Sequence, residues 1–133
     1  MEIKFNPLPL GRPHDCRVFI PNNPKNFDLS DLRRFGLQVI PLTTLRSVFP
    51  DEADAAEKTL IDTITQSLHC HRYNPDKDYI GLVGDPLITA AVMFTLGQMV
   101  DSATLLRYDG QSRSYWPFLA SYNKGKDYGK STR

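Results

Sequence analysis

Two stretches of this chain have the composition of a ligand cradle, and they lie far apart in sequence. Pro21-Asn-Asn-Pro-Lys25 offers two side-chain amides and an ammonium, and Gly84-Asp85-Pro86-Leu87 offers a glycine, a carboxylate and a helix start. Asn22, Asn23 and Lys25 can hydrogen-bond a polar group or a phosphate. Gly84 lets a ligand approach the backbone, and the amides of Leu87 and Ile88 can receive an anion. Asp85 has a competing role. As an N-cap its carboxylate takes those same amides and stabilises the helix by about 1 kcal/mol. Neither G-x-G-x-x-G nor G-x-x-x-x-G-K-[ST] occurs, so no nucleotide fingerprint supports the cradle.

Metal-ligand chemistry is confined to two tripeptides, His14-Asp-Cys16 and His69-Cys70-His71. Imidazole and thiolate suit zinc, but adjacent residues rarely turn to one ion, and these spacings are not the usual ligand spacings. The plainer reading puts a cysteine in the core and a histidine at the negative end of a helix. A cysteine nucleophile would need an orienting third group and a helix N-terminus, and neither tripeptide has them. No G-x-S-x-G or H-E-x-x-H motif is present. No motif calls for a cofactor, and the sequence leans away from an enzyme.

A third group lies near the C-terminus. Arg107, Arg113, Lys124, Lys126, Lys130 and Arg133 outnumber Asp109 and Asp127, with Tyr108, Tyr115, Trp116, Phe118, Tyr122 and Tyr128 interleaved. Aromatic faces with cations can stack on single-stranded nucleic acid. The same residue types anchor protein interfaces. Tyr115, Trp116, Tyr122, Lys124, Lys126, Tyr128 and Lys130 are therefore candidate partner-binding residues, with a protein partner or a second copy favoured over nucleic acid.

These groups need elements to position them. Cys16-Arg-Val-Phe-Ile20 is β-branched and aromatic and reads as a strand stopped by Pro21. Asp28 can cap a short helix that Gly36 stops in a left-handed conformation, and Leu37 to Ile40 is a second strand. A second helix opens at Pro50 or Asp51 and runs to about His69, with Ala53, Ala56, Leu60, Ile64 and Leu68 on one face. Tyr79 to Val83 is nearly continuous apolar strand, as in a parallel sheet. Asp85 caps a third helix starting on Pro86. That helix is apolar on most sides and should be the most buried. Thr104 to Tyr108 is a fourth strand. Asp109-Gly-Gln-Ser112 is a hairpin turn, with Asp-Gly supplying the positive φ angles, and Arg113 to Leu119 returns as an edge strand because of Pro117.

The alternation predicts an α/β fold: a three-layer Rossmann-like or flavodoxin-like, mostly parallel sheet of order 2-1-3-4-5 with an antiparallel C-terminal edge hairpin. Ligands of such sheets bind where the winding reverses, here between the first and third strands, which is where the Asn22 and Gly84 loops would meet. Residues 1–15 hold three prolines and form an N-terminal arm whose apolar residues favour docking. Residues 16–120 form one domain, and 121–133 a basic, tyrosine-containing tail.

Bulk properties bound the function further. A chain of 133 residues with 41% hydrophobic and 23% charged residues is one globular domain. A net charge of +1 argues against sequence-independent duplex binding, which relies on neutralising many phosphates. No apolar run reaches the roughly 20 residues of a membrane span, and no signal peptide is evident. Two cysteines make no disulfide framework, so a cytoplasmic setting is expected.

The run Asp78-Tyr-Ile-Gly-Leu-Val-Gly-Asp-Pro-Leu-Ile88, then Leu105-Leu-Arg-Tyr-Asp109, then Arg113-Ser-Tyr-Trp-Pro117, resembles small α/β accessory proteins of tailed bacteriophages. The segment Asp28-Leu-Ser-Asp-Leu-Arg-Arg-Phe-Gly36 is similar too. The resemblance implies a viral accessory protein in a host cytoplasm and carries over no catalytic residue.

Overall fold

A computed structural model of the chain describes residues 2–7, 16–23, 29–44 and 53–123. In chain order these form β1 (Glu2–Pro7), β2 (Arg17–Asn22), a 3-10 helix (Ser30–Arg34), β3 (Gln38–Thr43), α1 (Ala53–Cys70), β4 (Tyr79–Gly81), α2 (Pro86–Met99), β5 (Ser102–Asp109) and β6 (Ser114–Asn123). The strands make one six-stranded sheet of order β1-β6-β5-β4-β2-β3. The pairs β3–β2, β2–β4 and β4–β5 are parallel, whereas β5–β6 and β6–β1 are antiparallel. The fold is thus α/β with a mostly parallel sheet and an antiparallel flank.

Strand alternation divides the core in two. Phe19, Ile80, Leu105 and Ala120 face the helices and pack with Leu60, Ile64 and Leu68 of α1 and Ile88, Val92 and Leu96 of α2. Val18, Ile20, Tyr79, Leu106 and Tyr115 point the other way and are covered by Leu32 and Phe35 of the 3-10 segment. Both α-helices therefore lie on one face, and only a short helix lies on the other. The polar seam between α1 and the sheet is an ion pair. Buried Asp78 receives Arg17 Nη2 at 2.9 Å and the Asn74 amide at 2.8 Å, while Arg17 also donates to the carbonyls of His71 and Arg72.

Several expectations change. Residues 2–7 of the arm are a strand, so the sheet has six strands, not five, and the hairpin is not its edge. Residues 8–15 lie outside the described residues. Pro117 predicts an edge, yet β1 lies beyond β6. The proline is tolerated because its nitrogen faces away from β5. Two residues earlier, Tyr115 turns the same way: its N–H donates to Asp31 Oδ2 at 2.8 Å, and its carbonyl accepts from Arg34 Nη2 at 3.0 Å. The β1 register stops at Pro7 opposite Phe118, one residue short of the proline. Asp31 and Arg34 thus complete the backbone of β6 where β1 ends.

Other local readings shift as well. β2 runs on through Pro21 to Asn22, and β3 runs through Pro41 to Thr43. β4 keeps only three residues, Tyr79–Gly81. The short helix is 3-10, Asp28 is outside the described residues, and the cap position is Leu29 with no side-chain hydrogen bond. Gly36 is not left-handed. A Cβ there would strike the backbone of Cys16, so it is the close passage of two chain segments that requires glycine. The hairpin loop is four residues long, Gly110 to Arg113, and the positive φ falls on Arg113 (56°) and not on the Asp-Gly pair. Asp109 stabilises this loop by accepting from the amides of Gln111 and Ser112.

Candidate functional site

The helices do not cover the whole sheet. On β6 the helix-side core takes in Ala120, which is fully buried, and Tyr122, whose hydroxyl meets Met93 Sδ, at the end remote from the hairpin. Nearer the hairpin the described residues leave an open flank on the helix side, lined on β6 by exposed Trp116 and half-buried Phe118. Directly opposite residues of an antiparallel pair share a face. Phe5 opposite Ala120 and Ile3 opposite Tyr122 therefore extend the same surface on β1. Trp116 is 46% exposed, Phe5 56% and Ile3 40%. At the hairpin end this flank opens into a pocket of about 200 Å³ lined by Arg107, Tyr108, Asp109, Trp116 and Phe118.

Trp116 is held in place by the hairpin. Its Nε1 donates to Ser112 Oγ at 3.1 Å, and Ser112 Oγ donates to Asp109 Oδ2 at 2.8 Å. The Ser112 hydroxyl, with the Ser112 and Gln111 amides, holds the Asp109 carboxyl below its ordinary range. An exposed indole with a fixed ring has already lost most of its rotamer entropy, which favours its use as an anchor.

The structure sorts the aromatic residues that composition groups together. Tyr115 is 1% exposed and packs under the 3-10 helix, and Tyr122 is 5% exposed under α2. Neither ring is offered to a partner, so Trp116 is the accessible member of the three. Burial pushes both phenols up to about 12. Lys124, Lys126, Tyr128 and Lys130 lie outside the described residues. The chain enters that tail at Asn123, the end of β6 remote from Trp116. Arg107 and Phe118 belong to the basic and aromatic C-terminal group but not to the candidates drawn from it, and Ser112 and the two β1 residues are missing from both. For Ile3 and Phe5 the signal was the apolar character of the arm.

The β2–β4 cradle is assembled by the fold, and its groups bond to one another. Asn22 is 3% exposed, and its Oδ1 accepts the Asp85 amide at 2.9 Å. Asp85 Oδ2 accepts the amides of Leu87 at 3.0 Å and Ile88 at 3.1 Å. The carboxylate therefore occupies the position an anion would take. Asn23 is exposed beside it, and Lys25 lies outside the described residues. Gly84 is left-handed (φ 126°), and a Cβ there would collide with Asn22 Oδ1. Gly84→Ala is accordingly expected to lower stability by roughly 1–3 kcal/mol in urea denaturation. An unchanged midpoint would contradict this account of the loop.

The metal-capable tripeptides are separated by burial. Cys16 is buried at the entry to β2, whereas His69, Cys70 and His71 are exposed at the end of α1, and His14 is outside the described residues. His71 Nδ1 lies 2.8 Å from the Ser67 carbonyl, and its ring packs edge-on against Phe19. Among the described residues no three His, Cys, Asp or Glu side chains gather as a metal site. No helix among them is long and apolar enough to cross a membrane.

The family model described as Phage Pam3 gp32-like protein matches residues 16–122. No curated protein and no solved structure matches the chain.

Proposed function

Since this chain belongs to the Phage Pam3 gp32-like protein family, we propose that it is a phage accessory protein that works by binding a protein partner and not by catalysis. The docking surface is the β1–β6 flank with the hairpin pocket. The layered sheet, read as a flavodoxin-like scaffold, holds that surface rigid, and the host cytoplasm is the setting.

One observation carries the reading. Trp116 is exposed, yet its ring is fixed by Ser112 at the mouth of a pocket that continues into an uncovered apolar strip. Monomeric proteins rarely leave such a strip open without use, and tryptophan and arginine are enriched among interface anchors. Single-strand binding also relies on a groove of cations that tracks the backbone. Among the described residues the pocket sets one cation, Arg107, beside Asp109, which favours a protein over a nucleic-acid strand.

Affinity capture of the tagged full chain from infected cells, compared with Trp116→Ala, tests the proposal. The wild type is expected to retain a stoichiometric partner (a second copy, a host protein or a virion component). The variant, with unchanged circular dichroism, is expected to lose at least ~2 kcal/mol of binding, about thirtyfold. Removal of residues 124–133 separates the tail from the flank, because it leaves β6 whole. Equal capture by wild type and Trp116→Ala would contradict the proposal.

A further inference from the structure

We infer that the open flank is closed by α2 of a second copy of this chain, in a twofold dimer where each protomer's helix lies on the other's sheet. The inference rests on the reading above that the flank docks protein, and it names the occupant.

α2 is the reason. Its sequence, PLITAAVMFTLGQM, contains no charged residue. A helix that is apolar on most sides belongs inside protein on most sides. One chain covers it on one side only. Ile88, Val92 and Leu96 are fully buried, but Leu87 is 54% exposed and Phe94 57%, with Ala90 exposed between them. Spacings of three, four and seven place these three on one stripe pointing away from the sheet. The outward positions of α1 contrast with this: Lys58, Asp62, Gln66 and His69 are polar and exposed. The chain thus carries two uncovered apolar surfaces, a helix stripe and a sheet flank, side by side on the same face.

Their dimensions agree. Two strands span about 10 Å, the diameter of one helix. Leu87 and Phe94 are separated by about 10 Å along the helix axis. On the flank, exposed Trp116 of β6 and exposed Phe5 of β1, which lies opposite buried Ala120, are separated by about 13 Å along the strands, with Phe118 between them. A twofold axis along the strands, passing between α2 and the flank, exchanges the two surfaces and keeps the helices parallel. The start of α2 lies at the same end of the sheet as the hairpin, because β4 and β5 are parallel and β5 runs into it. Leu87 of one copy then meets the Trp116 pocket of the other, and Phe94 reaches Phe5. Each helix stripe and each flank contributes roughly 300–400 Å², so one protomer approaches the ~800 Å² of a standard interface. The polar outer face of α1 stays in water.

The test is native mass spectrometry with sedimentation equilibrium on the full chain, alone and as Phe94→Glu and Phe5→Lys, with folding checked by circular dichroism. The wild type is expected to be dimeric. Each variant is expected to dissociate with a loss on the order of a hundredfold in affinity. Mixing the two variants should restore a heterodimer, because one contact is then unmodified and the other pairs the introduced carboxylate with the introduced ammonium. A monomeric wild type, a dimer that survives either substitution, or no recovery on mixing overturns the inference. A monomer that still captures a partner through Trp116 would overturn the dimer alone and leave the docking surface standing.

Discussion

Raising the pH from 10 toward 12 is expected to remove roughly 4 kcal/mol of stability and to unfold the domain cooperatively. Tyr115 and Tyr122 are responsible. Both phenols are almost fully buried, and desolvation of the phenolate is the first cause of their displacement. For Tyr115 the charge of Asp31 and then Tyr108 add to it, and its hydroxyl has no hydrogen-bond partner. The folded value is about 12 against 10.0 for the free group. Below pH 10 both states hold the proton and stability is unaffected. Above it the unfolded chain releases two protons that the folded chain retains, so each tyrosine costs about 1.4 kcal/mol per pH unit until the folded value is passed. Phenolate absorbance should therefore appear in step with loss of circular dichroism. Tyr115→Phe should move the transition to higher pH. Gradual titration of all six tyrosines near pH 10 without unfolding would contradict the burial of these two rings.

Replacing Asp78 by alanine is expected to cost roughly 3–5 kcal/mol, a large part of the stability of a domain this size. The carboxylate side chain is 3% exposed and gathers Arg17 Nη2 at 2.9 Å, Arg17 Nε and the Arg17 amide at 3.3 Å, and the Asn74 amide at 2.8 Å. Removing it leaves a partly exposed guanidinium without its carboxylate and two amides without an acceptor. It also frees the turn after α1, which Arg17 clasps through the His71 and Arg72 carbonyls. Urea denaturation followed by circular dichroism measures the loss as a fall in midpoint. A change under about 1 kcal/mol would mean that the cluster behaves as a surface ion pair.

The sequence was legible where local chemistry and fold agree. Asp85 followed by Pro86 reads as a cap and a first helical turn, and both amide bonds to Asp85 are present. The apolar run through Ile80 reads as a central strand, and β4 lies between β2 and β5. The pairing of β1 was not legible, because residues 2–7 meet residues 118–123 across the length of the chain and no local pattern encodes that contact. Tyr115, Trp116 and Tyr122 were grouped by composition, although neighbours on a strand face opposite ways. Which way depends on register, and register was set by the loop Gly110 to Arg113, closed by Asp109, instead of a turn over Asp109 to Ser112. The apolarity of α2 on most sides was read as a demand for burial. One chain meets only part of that demand, since Leu87 and Phe94 remain in water.

Trp116 is the chain's single tryptophan, so its emission reports on the flank without labelling. Acrylamide quenching across a wide range of protein concentration, and with partner purified by affinity capture after subtraction of the partner's own emission, is the most direct measurement. The indole is expected to be readily quenched in dilute protein and to become shielded, with a blue shift, as copies associate. Shielding that needs the purified partner would assign the flank to another protein. An indole equally quenched at every concentration and with the partner would show that nothing docks on this face.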